Sequence, residues 1–362
     1  MKIAKIIVAT IAAFVVNSVS FAGELTVTGT AKATYAIRSD DSTTSVSSGG
    51  KGIGIANEFS LGATGETDNG IAWSYAQDID GATVQDDAKL TLTHSTFGTL
   101  GIFVSEGGIS SKLKWDVSAY GPGSDYGWTG NTAANHRNGA SVAGFTYGDD
   151  IGGYNNFQYH TPAGILPNDI SLKIAYAPNL GTGANNSSNG SGTVTTQAQG
   201  NNATQVQVSG SPVEGATISA SYMTKDNQDT TYKRKYEAGG ISGKYSFGPV
   251  SVGYGKFYVQ PSMLKNVGTI LTQDYENEAY GISFNVNDAL SVSYTNETSE
   301  ARKKTTTDAE VVTRVEAEIS AIQAAYTMGG MTLSLAQKDL ENMDYTSQVN
   351  GKETVIAVAL AF

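Results

Sequence analysis

The sequence predicts an all-β fold, and within that class a transmembrane antiparallel β-barrel of about sixteen strands. Three observations lead to this prediction. Apolar and polar residues alternate over unusually long stretches, every second connection is very short, and most of the connections between them are long and polar. Alternation with a period of two places the two sets of side chains on opposite faces of a strand.

The first alternating segment, residues 24–38, shows the pattern most clearly. Its odd positions are apolar or small, and most of its even positions are polar. The segment is about twice as long as a typical strand of a soluble protein, and a tilted membrane strand needs roughly 9–11 residues. The same pattern recurs along the chain and predicts strands at 24–38, 52–64, 70–80, 86–95, 99–106, 154–162, 169–177, 203–209, 216–224, 235–247, 250–260, 274–285, 288–297, 311–327, 331–339 and 351–362.

Two of these strands interrupt their own alternation. In 250–260 the period shifts at Gly255-Lys256-Phe257, and in 311–327 it shifts between Ile319 and Ile322. An extra residue in one strand of an antiparallel pair shifts the period in this way. We therefore expect a β-bulge in each of these two strands.

The connections alternate in length and orient the barrel. Turns such as 65–70 and 328–330 are short and contain Gly, Asn or Asp, whereas the loops at 107–153 and 178–202 are long and polar. Short periplasmic turns and long external loops are typical of outer-membrane barrels. In a bilayer every backbone donor and acceptor must be paired, so the sheet must close. Sixteen strands would then leave a water-filled lumen.

The start of the chain has the features of an export signal. Lys2 and Lys5 precede a largely apolar run at 6–16, and Ser20 and Ala22 place small residues at the two positions that a signal peptidase reads. We therefore expect residues 1–22 to be a cleaved signal peptide, and residues 23–362 to form the barrel. Loss of the two lysines would change the formal net charge from −11 to −13. Such a negative charge argues against nucleic acid as a partner.

Composition excludes two other classes of protein. The chain has no cysteine, so it is not a small secreted domain held by disulfides. No segment after residue 22 has the 18 or more apolar residues of a transmembrane helix. Charged residues make up 16% of the chain, against roughly 25% in typical globular proteins. A low-charge exported chain of this kind is either a transmembrane barrel or a secreted all-β protein.

Four segments carry a resemblance to a known family. They are the start Gly-Glu-Leu-Thr-Val-Thr-Gly at 23–29, the long third loop that ends with the stretch from Asn138-Gly139 to Tyr154, the strand Asn155-Asn156-Phe157-Gln158-Tyr159-His160-Thr161-Pro162, and the alternating last strand that ends in Phe362. In these features the mature chain resembles, over its whole length, the general diffusion porins of the alphaproteobacterial, Rhodobacter-like type. Those porins are trimeric and have sixteen strands.

The resemblance implies a function, a location and partners. It implies an outer-membrane porin that passes small hydrophilic solutes and ions by passive diffusion, in the lipopolysaccharide-containing outer membrane of a Gram-negative bacterium. It also implies a homotrimer, with Phe362 as the assembly signal that the barrel-assembly machinery reads. The pore wall of the family usually carries several arginines, whereas this chain has only five after residue 22.

The resemblance further implies that the third loop, 107–153, folds into the barrel and narrows it. The candidate constriction acids on this loop and at its root are Glu106, Asp116, Asp125, Asp149 and Asp150. Alternation places candidate basic residues of the pore wall at Lys32, Arg38, Lys89, Lys173 and Lys244. Carboxylates around a narrow pore select cations, so we expect mild cation selectivity. The alternative is an ordinary external loop whose acids are solvated.

We expect no cofactor, with one exception, and no catalysis. Asp86 and Asp87 are candidate ligands for a structural calcium ion, although such surface pairs are more often only solvated. The chain has three histidines and none of the nucleophile-elbow, zinc or phosphate-loop patterns, so we do not expect an enzyme. Two alternatives to a non-specific porin stay open. One is a substrate-specific channel for a sugar or nutrient, and the other is a non-channel all-β surface adhesin.

Overall fold

The computed structural model describes residues 25–40, 50–80, 87–124, 147–178, 180, 202–226, 232–261, 263–264, 271–304, 314–342, 345 and 347–362. Sixteen strands of this part of the chain pair antiparallel and close into one barrel. They are β1 Leu25–Asp40, β2 Gly50–Glu66, β3 Ala72–Asp80, β4 Ala88–His94, β5 Gly98–Val104, β6 Asn156–His160, β7 Ser171–Ala177, β8 Asn202–Gly210, β9 Ala216–Asp226, β11 Tyr236–Phe247, β12 Val250–Gln260, β14 Leu271–Asn285, β15 Leu290–Lys304, β16 Glu316–Met328, β17 Met331–Glu341 and β18 Gly351–Ala361. Two further short strands, β10 Tyr232–Arg234 and β13 Met263–Leu264, pair with each other outside the barrel.

Each barrel strand pairs with its neighbours in the chain, and β1 closes the barrel by pairing with β18. The connections from β2 to β3, from β11 to β12 and from β16 to β17 are short turns, and the opposite end carries the long loops. The predicted strand number, antiparallel order and alternation of connection lengths are confirmed. The expected signal peptide, residues 1–22, lies outside the described residues and stays a prediction.

Helical structure in the described residues is limited to single 3-10 turns, such as Ile151–Gly153 and Pro167–Asp169. No helix in these residues is long and apolar enough to cross a membrane.

The pairing register assigns each side chain to the inner or the outer face of the sheet. On the outer face, Tyr254 and Tyr258 of β12 align with Tyr280 and Glu276 of β14, and the three tyrosines are exposed. Most of the exposed large hydrophobic side chains lie at outward positions of this kind. An apolar outer band with aromatic residues is typical of a barrel surrounded by lipid.

The two expected β-bulges are absent, and that prediction was wrong. β12 pairs with β11 and β14, and β16 pairs with β15 and β17, in unbroken register. The alternation of apolar and polar residues is interrupted in the sequence because Phe257 and Ile319 are apolar residues at inner positions. Their side chains are 3% and 2% exposed. Phe257 packs with Trp115 of the third loop, and Ile319 packs with Val349 of the last loop. These inner positions therefore belong to a packed core and not to a wet wall.

The last residue lies at the seam between β18 and β1. The N–H of Gly29 donates to the carbonyl of Phe362 at 2.8 Å, and the N–H of Phe362 donates to the carbonyl of Gly29 at 3.0 Å. The rings of Phe362 and Phe59 lie 5.7 Å apart between centroids. A Cβ on Gly29 would lie 2.8 Å from both the Phe362 ring and the carbonyl oxygen of Glu58. The seam therefore requires glycine at position 29. The role of Phe362 as an assembly signal stays a prediction.

We expect Gly29→Ala to destabilise the barrel by about 1–3 kcal/mol, the usual range for overpacking, because the Glu58 carbonyl cannot move away without disturbing the pairing of β1 with β2. The measurement is the urea midpoint of the folded protein, read from its heat-modifiable gel mobility. Gly52→Ala is the matched control, because a Cβ on Gly52 would have no heavy atom within 4 Å. Equal midpoints for the two variants would contradict this expectation.

Candidate pore constriction

The third loop runs inside the barrel, as the resemblance implied. It leaves β5 after Val104, and its described parts, 105–124 and 147–155, lie against the inner faces of distant strands. Its first anchor is Ser111. The N–H of Ser111 donates to Oγ of Ser221 on β9 at 2.8 Å, and its Oγ donates to the carbonyl of Gly240 on β11 at 3.0 Å. Ser111 therefore fixes the loop to β9 and β11, which lie several strands away from β5, where the loop begins.

Trp115 is the second anchor and is fully buried. Its ring packs with Tyr147, Phe257 and Ala279, which belong to the returning part of the loop and to β12 and β14. The wall has small residues where the loop backbone approaches it. A Cβ on Gly253 of β12 would lie 1.7 Å from the Trp115 carbonyl oxygen. The inner face of β12 is thus shaped to receive the loop.

Beyond this anchor the loop crosses towards the first strand. The N–H of Tyr120 donates to Oε1 of Gln323 on β16 at 2.8 Å, and Nε2 of Gln323 donates to the carbonyl of Gly121 at 2.7 Å. The ring of Tyr120 lies 5.0 Å from Nζ of Lys32 on β1. This distance is within the range of a cation–π contact. The loop therefore reaches from β5 to the other side of the lumen.

A buried ion pair holds the loop just before its segment 125–146, which lies outside the described residues. Lys338 of β17 and Glu353 of β18 are both completely buried. Nζ of Lys338 lies 3.4 Å from Oε2 of Glu353 and donates to the carbonyl of Gly123 at 2.8 Å. Buried charges of this kind are tolerated only when they are paired and hydrogen-bonded.

A third buried charge, Glu297 of β15, holds the loop on both sides of 125–146. Its carboxylate accepts hydrogen bonds from the N–H of Ser124 at 3.1 Å, from the Ser124 hydroxyl and from the Tyr147 hydroxyl. Ser124 precedes that segment and Tyr147 follows it. One carboxylate therefore joins the outgoing and the returning parts of the loop to the wall.

The loop returns along the wall at Asp149. Its carboxylate pairs with Lys225 of β9 and accepts a hydrogen bond from the Tyr154 hydroxyl at 2.5 Å. The N–H of Asp149 donates to the Tyr236 hydroxyl of β11 at 2.6 Å. Burial acts to raise the pKa of Asp149, but the charge of Lys225 and the hydrogen bonds from Lys225 and Tyr154 outweigh it. The pKa of Asp149 therefore lies below its ordinary value of 3.8.

This pKa shift predicts a pH-dependent contribution to stability. Because the folded-state pKa is the lower one, the contribution is complete above about pH 4 and is lost as the pH falls through the folded-state pKa. We expect Asp149→Asn to lower the urea midpoint clearly at pH 7 and much less at pH 2.5. The control is Asp226→Asn, which removes an exposed ion pair with Lys235 and should have little effect at either pH. The same loss for Asp149→Asn at both pH values would argue against this role of the pair.

Two other candidate acids bind within the loop. Asp150 accepts hydrogen bonds from the N–H groups of Ile109 and Ser110, at 3.0 Å each. Asp116 accepts a hydrogen bond from the N–H of Ser118 at 2.9 Å. Both carboxylates stabilise the local backbone of the loop. Their role in ion selection stays a prediction.

The acid at the root of the loop has a partner on the wall. Glu106 lies 3.5 Å from Nζ of Lys89 on β4. Burial raises the pKa of Glu106, although the charge of Lys89 acts in the opposite direction. The last candidate acid, Asp125, lies outside the described residues. The structure thus brings one predicted acid, Glu106, together with one predicted base, Lys89.

The candidate basic residues occupy inner positions of their strands. Lys32 and Lys89 contact the third loop or its root, as described above.

Lys244 of β11 aligns with Gly253 of β12 and lies near the short-turn end, in a cleft that Asp169 and Glu214 also line. Arg38 aligns with residues 50 and 353 on the neighbouring strands, and its side chain is outside the described part of the chain. The fifth, Lys173 of β7, pairs in register with His160 of β6.

The loop leaves the inner faces of β1 to β4 uncovered. Inner side chains of β5 to β18 are mostly buried, whereas the inner residues Thr28, Thr30 and Thr93 of β1 and β4 are exposed. Oγ of Ser74 and Oγ1 of Thr91 lie 2.7 Å apart on the same side. The open passage is therefore lined by hydroxyl groups, with lysines among them.

The candidate calcium pair is described only in part. Asp86 lies outside the described residues, and the carbonyl of Asp87 accepts a hydrogen bond from the N–H of Asp78 at 2.9 Å. In the described part of the chain, no group of three or more His, Asp or Glu side chains is arranged to hold a metal ion. Calcium binding by Asp86 and Asp87 stays a prediction.

No protein-family model and no curated protein matches this chain, but many solved structures do. One is OmpF of Salmonella typhi in complex with daunomycin, with 13% sequence identity, coverage of 95% of this chain and 100% of that chain, and a TM-score of 0.58. A second is the anion-selective porin from Comamonas acidovorans, with 12% identity, coverage of 94% of this chain and 100% of that chain, and a TM-score of 0.59. A third is the trimer form of OmpT of Vibrio cholerae, with 10% identity, coverage of 94% of this chain and 100% of that chain, and a TM-score of 0.58. The fold is that of the sixteen-stranded porins. At these identities the similarity concerns the porin fold alone, and it spans nearly the whole chain.

Proposed function

We propose that this protein is an outer-membrane porin, a water-filled channel for the passive diffusion of small hydrophilic solutes and ions. The observation that carries the proposal is the position of the third loop, whose described parts, 111–124 and 147–149, are held against the inner wall of a closed sixteen-strand barrel. A barrel of this size encloses an aqueous lumen, and the fixed loop narrows that lumen on one side. Diffusion through such an aperture requires no catalysis, so we propose no enzymatic activity.

We also propose the location and partners that go with the porin fold. The outward apolar side chains would contact lipid in the lipopolysaccharide-containing outer membrane of a Gram-negative bacterium. The trimer form of OmpT of Vibrio cholerae, a structural neighbour, supports a homotrimer. The barrel-assembly machinery would insert the chain, with Phe362 as the signal.

The ion preference has two opposing contributions. The net charge of the chain and the acids of the third loop favour cations, as the sequence predicted. The described acids of the loop, however, bind backbone N–H groups or lysines, while other lysines lie on the inner face of the wall. We propose that the groups at the aperture decide the preference, because the Coulomb energy falls with distance and salt screens charges beyond about 8 Å.

The proposed function is tested by single-channel recording of the refolded protein in a planar bilayer. We expect stepwise conductance, in groups of three steps if the protein is a trimer. A heat-modifiable, folded barrel that gives no conductance would overturn the channel and favour the adhesin. Steps that one sugar or nutrient blocks would instead identify a substrate-specific channel.

A further inference from the structure

A group of basic and amide side chains lies where the root of the third loop meets β6, β7 and β8. The register aligns His160 of β6 with Lys173 of β7, and Lys173 with Gln207 of β8, all on the inner face. The next residue of this row, Ser221 of β9, binds Ser111 of the loop. The row therefore passes directly beneath the loop.

The neighbours of this row are fixed by hydrogen bonds to the loop. Nε2 of His160 donates to Oε1 of Gln158 at 2.7 Å, and the side-chain amide of Gln158 donates to the carbonyl of Gly107. Nε2 of Gln207 donates to the carbonyl of Ser110 at 3.5 Å. The strand side chains and the root of the loop thus form one rigid unit. A preorganised unit of this kind loses little freedom when a ligand binds.

Lys114 of the loop adds a second positive charge beside Lys173. Its N–H donates to the carbonyl of Ser111 at 3.0 Å, which places Lys114 one turn beyond the anchor. Its side chain is exposed, and the contact of Ser111 with Ser221 places this turn of the loop over the row that contains Lys173. Two ammonium groups on the same side of the lumen create a local excess of positive charge.

This pair differs from three other inward lysines in having no carboxylate partner. Lys89, Lys225 and Lys338 each have a carboxylate partner, in Glu106, Asp149 and Glu353 respectively. Among the residues that the structure describes, neither Lys114 nor Lys173 forms a salt bridge. Their charges are left for a mobile ion to balance.

We propose that Lys114 and Lys173, with Gln207 and His160 beside them, form an anion-binding subsite of the constriction for small oxyanions of the inorganic phosphate class. The two ammonium groups supply the charge, and each offers up to three N–H donors to the oxygens of a tetrahedral anion. The subsite makes the aperture prefer anions in a chain whose net charge is negative. The proposal rests on the channel function proposed above.

The test compares the wild-type channel with Lys114→Gln/Lys173→Gln in a planar bilayer, under a potassium chloride gradient and then with inorganic phosphate added. For the wild type we expect the reversal potential to shift towards the equilibrium potential of chloride. We also expect added phosphate to reduce the chloride current. Removal of each charge should lower the chloride-to-potassium permeability ratio by about sevenfold, because a unit charge roughly 7 Å from the ion path in water changes the energy of each ion by about RT, with opposite signs for the two ions. The phosphate concentration that halves the current should rise by a similar factor.

The matched control is Lys51→Gln/Lys352→Gln, which removes the same net charge from the outer face of β2 and β18 and should leave both readouts unchanged. An unchanged permeability ratio and phosphate effect in Lys114→Gln/Lys173→Gln would overturn the subsite while leaving the channel intact. A wild-type reversal potential shifted towards the equilibrium potential of potassium would also overturn the subsite. A folded wild-type barrel without conductance would overturn the channel itself, so the two failures can be told apart.

Discussion

Replacement of Lys338 by methionine is expected to destabilise the barrel by about 3–5 kcal/mol, the usual effect of removing one partner from a buried ion pair. The change leaves the buried carboxylate of Glu353 without its cation, and it releases the carbonyl of Gly123. The loop should therefore loosen as well, which would appear as larger and noisier single-channel steps. The measurements are the urea midpoint and the variance of the open-channel current.

Two further variants show whether burial is the cause. Lys352→Met removes an exposed ion pair with Asp339 of 2.9 Å, and such pairs contribute about 0–1 kcal/mol. Lys338→Met/Glu353→Gln removes both buried charges and should recover part of the stability lost in the single variant. Lys338→Met with the stability and current of the wild type would show that the pair does not hold the loop.

Trp115→Ala is expected to have an effect of similar size, about 3–5 kcal/mol, because it empties a fully buried aromatic site. Trp115 is the anchor between the loop and the inner faces of β12 and β14, so its loss should also free the loop from the wall. We expect a higher mean conductance with more frequent transitions. The measurements are the urea midpoint and the single-channel conductance.

Trp73→Ala is the matched control for the truncation of a tryptophan. Trp73 lies on β3, at an outward position opposite Leu92 of β4, and does not touch the loop anchors. It should change stability to some degree but leave the conductance as in the wild type. Equal conductance for Trp115→Ala and the wild type would mean that the remaining contacts, such as Ser111 and Gln323, are enough to hold the loop.

The barrel was predictable from the sequence because a membrane imposes period-two alternation on every strand and requires the sheet to close. The same alternation also placed Lys173 on the inner face. It failed at Phe257 and Ile319, where the inner face is covered by loops and becomes a core. Local alternation cannot reveal this, because it depends on a loop that returns from a distant part of the chain.

The candidate site was predictable only in part. The position of the infolded loop followed from a resemblance, and its acids were chosen by type and not by contact. The side chains that fix it, such as Glu297 and Lys225, lie at inward phases of their strands, so alternation could have marked them as facing the lumen. The sequence around these residues does not show that the loop covers their side chains and keeps them out of water. Lys114 belongs to a loop without regular alternation of apolar and polar residues, so no sequence pattern indicated where its side chain would lie.

The anchors of the third loop also constrain the order in which the protein can be completed. Tyr120 and Gln323 are separated by 203 residues, and Gly123 and Lys338 by 215 residues. Contacts between such distant parts of a chain form late, because the intervening chain must first be ordered. The third loop, although encoded in the first half of the chain, is therefore expected to reach its final position only when the C-terminal strands are in place. Until then we expect the lumen to be wider than in the finished barrel.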